Sequence, residues 1–379
     1  MRVNISVFGR FFAFDLAKQL DEAGILNKLI TTYPKFKVEE WGIDANKVVS
    51  ELPLEILNRL NQRSNLNSNW FNSYLKIIHA KNSVKYLDGC DIFIGFSNSS
   101  LETLVEAKKR GIITVLERAS AHYSYQQNIL MDEFKKQNLK FHPNHYSWKR
   151  ELAEYDITNY ISIGSSFVKK SFIHHGVPEE KLIVNSLGVD FKSFSQIPKK
   201  DKIFRIIYAG SGTIQKGYHY LLQAFYELNL SNCELWHLGN LSKDIKPFLK
   251  KYKHPNWIFK GHQPQKELYK FYSQGNVFVF PSLQDGFGMV VPQAMACGLP
   301  VVCTTNTGAG DLIMDGEEGF VIPTQNVEKI KEKINYLYSN RDKCNEMGQK
   351  AKKKVSTNFT WDDYGKRYIN NLKEIIKFK

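Results

Sequence analysis

The residues from Pro281 to Gly298 read Pro-Ser-Leu-Gln-Asp-Gly-Phe-Gly-Met-Val-Val-Pro-Gln-Ala-Met-Ala-Cys-Gly. They set an acid, two glycines and a polar amide within an otherwise apolar run. The apolar segment 277–280 just before them predicts a buried strand. Gly286 and Gly288 allow backbone amides to come close to a ligand. The helical segment that follows adds partial positive charge at its start, which suits a phosphate or a developing anion. Asp285 and Gln293 can each hold hydroxyls.

A second constellation is Tyr208-Ala-Gly-Ser-Gly-Thr-Ile-Gln-Lys-Gly217. It follows the apolar segment 206–209 and precedes a helical run at 221–225. Bare amides can approach phosphate oxygens there, and Lys216 supplies a point charge, a pairing that fits a diphosphate. Neither stretch has the G-x-G-x-x-G order of a dinucleotide-binding loop with an acid about 20 residues further on.

The first stretch resembles the donor-sugar signature of retaining nucleotide-sugar glycosyltransferases of the GT-B fold, glycosyltransferase family 4 in particular. That signature runs Pro-Ser, a Glu, Gly-Phe-Gly and a second Glu, then Ala-Met-Ala-x-Gly-x-Pro-Val. Residues 294–301 here read Ala-Met-Ala-Cys-Gly-Leu-Pro-Val. Asp285 stands at the first acid, one methylene shorter, and neutral Gln293 at the second. The resemblance covers most of residues 145–379, with Gly188-Val-Asp190 as the entry to a second domain. It implies an α/β architecture: two Rossmann-like domains whose parallel sheets face across a cleft, and a C-terminal helix crossing back to the first domain.

The same resemblance distributes roles. Asp285 would hold donor-sugar hydroxyls and Gln293 the nucleotide ribose. Lys216 matches the family lysine on the donor diphosphate, with the backbone around Gly210, Ser211, Gly286, Phe287 and Gly288 beside it. Ser211 replaces a family arginine, so one cation is missing, and Arg10 of the Gly9-Arg10 pair after the first strand is the candidate substitute. Gly261 and His262 sit where the family holds its nucleobase. His122, a few residues beyond the strand ending at Leu116, matches a histidine that faces the donor sugar across the cleft. His122, Lys216 and Asp285 are therefore the catalytic candidates. No Asp-x-Asp pair is present to hold Mg²⁺ for a diphosphate, so no metal and no cofactor beyond the nucleotide-sugar substrate is expected.

These loops need strands and helices to carry them. Apolar runs at 5–8, 92–95, 112–116, 206–209, 235–238 and 301–303 alternate with helical segments, the pattern of parallel sheets covered by helices. The alternation occurs twice, with a break near residues 185–190. The break places the domains at 1–187 and 188–357; the resemblance makes the first the acceptor side, the second the nucleotide-sugar side and 358–379 the returning helix. Residues 59–76, rich in Asn and Ser, read as a surface helix-loop region. No apolar run reaches about 18 residues, the length of a membrane span. The N-terminus is too short and polar for a secretory signal. Five cysteines without CxxC spacing read as reduced core thiols of a cytoplasmic protein.

The net charge is +14. Residues 1–189 hold 24 Lys and Arg against 20 Asp and Glu; the remainder holds 28 against 18. That excess reads as a solvated lysine-rich face, and leaves contact with the inner face of a membrane open. No nucleic-acid motif accompanies it. The expected function is metal-independent, retaining transfer of a hexosyl-type sugar, from UDP or GDP, to a cell-envelope glycan or lipid-linked acceptor. The rival readings are a non-catalytic partner protein of the same fold, another GT-B enzyme such as a nucleotide-sugar epimerase or a phosphorylase, and a dinucleotide-dependent oxidoreductase.

Overall fold

The computed structural model describes residues 1–63 and 69–377. The first sheet comprises β1 (Val3–Val7), β2 (Leu26–Thr31), β3 (Val48–Ser50), β4 (Ile92–Phe96), β5 (Ile113–Arg118), β6 (Tyr160–Ile163) and β7 (Leu182–Val184). Their order is β3-β2-β1-β4-β5-β6-β7, all parallel. The second sheet comprises β8 (Phe204–Ala209), β9 (Cys233–Leu238), β10 (Trp257–Gly261), β11 (Val277–Phe280), β12 (Val301–Thr304) and β13 (Gly319–Ile322). Its order is β10-β9-β8-β11-β12-β13, again all parallel. Parallel strands covered on both faces must be apolar throughout. Accordingly β1, β4, β5, β8, β11 and β12 are buried at every residue.

The two sheets have one topology. In each, the first strand is central, the next two lie to one side and the fourth lies on the other. The order thus reverses between β1 and β4 and between β8 and β11. Ligands of such sheets bind outside the carboxyl ends of the strands at that reversal. The loops after β1, β4, β8 and β11 are the ones the topology places there.

The chain crosses between the sheets twice, and the crossings lie side by side. Val189 N–H donates to the Phe359 carbonyl (2.8 Å), and Arg367 Nη2 donates to the Ser186 carbonyl (2.8 Å). A Cβ on Gly188 would come within 2.6 Å of the Trp361 backbone, so only glycine fits. The last helix, Trp361–Lys377, then packs on the helix Ala13–Glu22 of the first domain. Gln19 Nε2 donates to Asp362 Oδ1 (3.2 Å), and the Tyr368 hydroxyl donates to buried Glu117.

A buried polar hub ties the domains together at another point. Glu133, on the first-domain helix Tyr123–Lys136, accepts hydrogen bonds from His219 Nε2 and the Tyr220 hydroxyl, both at 2.8 Å, and from Gln325 Nε2 at 2.5 Å. Burial pushes the Glu133 carboxyl up, but its donors His219, Gln137 and Tyr220 outweigh that and hold it down to about 2. Burial keeps the His219 ring neutral against the pull of Glu133. The sequence contains no periodic signal for this hub, because its members are distant in the chain.

The stretch 59–76 is not simply surface. Its described residues end one helix, Leu52–Arg63, and begin another, Asn69–Ser83. Asn58, Arg59, Gln62, Arg63, Asn72 and Lys76 line the cleft between the domains. Residues 64–68 lie outside the described residues.

Candidate active site

The loop after β11 is held from three sides. Asp285 N–H donates to the Asn306 carbonyl and Gly308 N–H to the Asp285 carbonyl, both at 3.0 Å, so the loop is paired to the one after β12. The Gly286 carbonyl accepts from Ser165 Oγ of the first domain at 2.6 Å. Gly286 itself lies against the first-domain backbone, where a Cβ would sit 1.8 Å from the Ala119 carbonyl oxygen. Gly308 is needed for close approach too, since its Cβ would lie 2.3 Å from the Gly286 carbonyl. The helix Val290–Ala296 follows, and Gly298 takes a positive φ of 79° just past its end.

The loop after β8 is pressed onto this one. Leu283 N–H donates to the Gln215 carbonyl (3.0 Å), and a Cβ on Gly217 would lie 1.9 Å from the Pro281 carbonyl. That packing delivers Lys216 Nζ to the Asp285 carboxylate, with which it forms an ion pair. The other carboxylate oxygen of Asp285 accepts from Phe287 N–H (3.3 Å). The two charges that the sequence assigns to different parts of a donor are therefore in contact with each other.

A cleft of about 1910 Å³ opens between the domains. Asp285, Phe287, Gly288, Gln293 and His262 line it from the second domain; Gly9, Arg10, Phe11, Asp15 and Trp41 are among those lining it from the first. Gln293 is 5 % exposed, and its Oε1 has no hydrogen-bond partner. A buried acceptor left unsatisfied beside a cavity is poised for a ligand donor such as a hydroxyl. The loop after β1 carries two left-handed residues, Gly9 (φ 104°) and Phe11 (φ 44°). A phenylalanine held there stores strain of the kind found at ligand sites. Arg10 lies over the Trp41 ring, 4.8 Å from its centroid. Trp41 Nε1 donates to Asp15 Oδ1 (3.3 Å), while burial raises the Asp15 carboxyl above its usual range.

Several sequence candidates lie elsewhere. His122 does not reach the cleft. It is 4 % exposed and precedes the helix Tyr123–Lys136, with its ring stacked on His175 at 4.3 Å and against Phe172 and Tyr155. Burial, with His175 and Arg118 nearby, pushes its pKa down to about 3, so the ring is neutral. The aromatic residues on Ser166–Ile173 and His145–Ile157 draw it into the first-domain core, a packing effect with no local sequence signal. Gly210 is pinned to the end of β9, its N–H on the Leu238 carbonyl (2.8 Å), and Ser211 to β8, its carbonyl accepting from the Tyr208 hydroxyl (2.8 Å). Lys216, Gly261 and Gly286 are neighbours of cleft-lining residues rather than lining it themselves. Sequence reasoning missed Ser165 as the residue that holds the loop after β11, and Ser120, whose Oγ donates to Gln284 Oε1 (3.1 Å) across the domains. Among the described residues no group of three or more His, Cys, Asp or Glu is placed to hold a metal ion, and no helix is long and apolar enough to cross a membrane.

Two Rossmann-like domains with strand-end loops facing one cleft define the GT-B architecture. The chain superposes over its full length on sucrose-phosphate synthase from Thermosynechococcus elongatus, with a TM-score of 0.73 and 16 % identity, covering 99 % of that chain. It also superposes over 99 % of its length on all of Anabaena HepE in complex with UDP and glucose (TM-score 0.70, 15 % identity). Residues 190–354, which span the second domain, match the family described as glycosyl transferases group 1. Over 247 residues the chain is 29 % identical to the capsular polysaccharide biosynthesis glycosyltransferase CapM of Staphylococcus aureus. That alignment covers 59 % of this chain and 64 % of CapM, under two thirds of the relative's length.

Proposed function

We propose that the protein is a retaining glycosyltransferase that moves a hexosyl-type sugar from a nucleotide-diphosphate donor, UDP- or GDP-linked, to a cell-envelope glycan or lipid-linked acceptor. The observation that carries this reading is that the Lys216–Asp285 ion pair places Asp285 in the wall of the cleft that the unsatisfied Gln293 also lines, within the region matching the group 1 glycosyltransferase family. The donor diphosphate takes Lys216 from Asp285, and the freed carboxylate accepts from sugar hydroxyls. Gln293 Oε1 accepts from the ribose. Lys216 then stabilises charge where it develops, as the bond between the anomeric carbon and the diphosphate oxygen breaks. The acceptor oxygen bonds to the anomeric carbon on the face being vacated, and its proton passes to the departing phosphate. Lysine and backbone dipoles carry the charge in place of a metal. The Ser165 and Ala119 contacts to Gly286 tie this loop to the first domain beside the cleft.

We place the work at the inner face of a membrane. Ile56, Leu57 and Leu60 on one helix and Trp70 and Tyr74 on the next are exposed, on the two helices whose other residues line the cleft. Aromatic residues and apolar side chains beside arginines favour a lipid interface.

Thermal melting with UDP-, GDP-, ADP- and dTDP-sugars, without added metal, tests the donor reading. A rise with one nucleotide class supports it, because a ligand of the folded state must raise the midpoint. No rise with any of them refutes it.

A further inference from the structure

We propose that Asn72 and Lys76 form an acceptor subsite on the first-domain wall of the cleft, one that takes a hydroxylated anion: Lys76 Nζ on a phosphate or carboxylate, Asn72 Oδ1 on a neighbouring hydroxyl. This rests on the glycosyl-transfer reading of the same cleft.

Both residues belong to the helix Asn69–Ser83, one turn apart, and both line the cleft. Asn72 Oδ1 is buried and accepts no hydrogen bond. Lys76 makes no hydrogen bond or ion pair among the described residues. The acids behind it, in contrast, each have an arginine in ion-pair reach. Arg118 pairs with Glu151 at 3.0 Å, and Arg150 pairs with Glu102 at 2.5 Å and Glu154 at 3.9 Å. Glu154 also accepts from the backbone N–H of Ser100 (2.9 Å) and of Asn98 (2.5 Å). With Arg150 shared, the cluster holds three carboxylates to two guanidiniums, and Lys76 is the third cation of the group, the one with no carboxylate in ion-pair reach among the described residues. Burial lowers its pKa, with Glu151 and Glu154 pulling it back up and Arg150 adding to the fall.

An ammonium half-buried in a cleft wall with no ion-pair partner is partly stripped of its water and not compensated for it. An empty acceptor beside it adds a second desolvation cost. A ligand with an anionic oxygen next to a hydroxyl relieves both at once, and a neutral sugar relieves only one. An acidic sugar or a phosphorylated one has that arrangement.

The competing explanation is that Lys76 serves as a distant counter-charge to Glu151 and Glu154. Affinity for glucose 6-phosphate, glucuronate and neutral glucose separates the two, measured by calorimetry in a Lys216→Ala background so that the donor-side cation does not contribute. The expected result is at least a 10-fold preference for one of the anions over glucose. Which anion it is distinguishes phosphate from carboxylate. Lys76→Met should abolish the preference and leave the melting temperature equal or higher, Lys76→Arg should keep the preference, and Asn72→Ala should weaken all three ligands alike. Two results would overturn the subsite: no anion preference in the Lys216→Ala protein, or a preference that survives Lys76→Met. A survival accompanied by a lower melting temperature would assign Lys76 to the counter-charge role. The readout needs no nucleotide, so a failure of the donor reading shows up separately in the melting experiment with nucleotide sugars.

Discussion

Gly286→Ala is the substitution whose effect is worked most directly from the structure. The added Cβ would lie 1.8 Å from the Ala119 carbonyl oxygen and 2.8 Å from the Ser120 Cα, whereas ordinary contact starts at 3.4 Å. Both neighbours are backbone and cannot swing away, so the domains must part locally by roughly 1.5 Å. That movement also breaks the bond from Ser165 Oγ to the Gly286 carbonyl and shifts Asp285, the adjacent residue. A misplacement of about 1 Å at a reacting centre costs on the order of 100-fold in rate. Transfer should therefore fall by about 100-fold or more in kcat/KM, equivalent to roughly 2.7 kcal/mol of transition-state stabilisation. Nucleotide affinity should change by no more than a few fold, because the second-domain loops are paired among themselves. Gly310→Ala is the control: its Cβ meets only Val321 at 3.9 Å, and it should be neutral. Steady-state transfer kinetics alongside nucleotide titration reads both quantities. A Gly286→Ala enzyme with wild-type turnover would show that the closed contact is not the reacting geometry.

The remaining expectations concern single side chains. Lys216→Ala and Asp285→Ala should each lose most transfer activity, on the order of 100- to 1000-fold as for removal of one charge-stabilising donor, with circular dichroism and melting confirming a folded protein; wild-type-like turnover in either would remove it from the site. Gln293→Glu should lower the donor KM by about 10-fold, since a charged acceptor binds a hydroxyl more strongly than an amide does. An unchanged KM would argue against a ribose contact. Glu117→Gln should stabilise the protein at pH 8. Burial lifts the Glu117 carboxyl from 4.5 to about 7, so the folded state keeps a proton that the unfolded chain releases. Its contribution to stability is therefore fullest below pH 4.5, falls as pH rises toward 7, and amounts to a penalty of roughly 3 kcal/mol above that. The amide should remove this slope from a melting-temperature profile taken between pH 5 and 8, and an identical slope in the variant would assign it to another group.

Much of the second domain is legible in the sequence because its information is local. The runs at 206–209, 277–280 and 301–303 are apolar over the length of one strand, and a parallel sheet covered on both faces requires that. Asp285, Gly286 and Gly288 follow one of them within a single loop, so their proximity needs no long-range inference. Lys216 is legible as a phosphate ligand by type and position, yet its actual partner, Asp285, is not. The two are 69 residues apart in the chain, and only the packing of the β8 loop onto the β11 loop joins them. The same reason hid Ser165, 121 residues from the carbonyl it holds. His122 fails in the opposite direction. Its place after a strand points to the cleft, but the surrounding residues decide where the ring goes. Tyr155, Phe172 and His175 form an aromatic pocket, and the His122 ring fills it, leaving its Nδ1 buried without a hydrogen-bond partner. Lys76 and Asn72 show what is left when neither kind of signal operates. Nothing in an Asn/Ser-rich stretch marks two of its residues as cleft wall. Their meaning depends on a structural comparison: each acid behind Lys76 has an arginine in ion-pair reach, Arg150 serving two of them, and among the described residues Lys76 has no acid in reach.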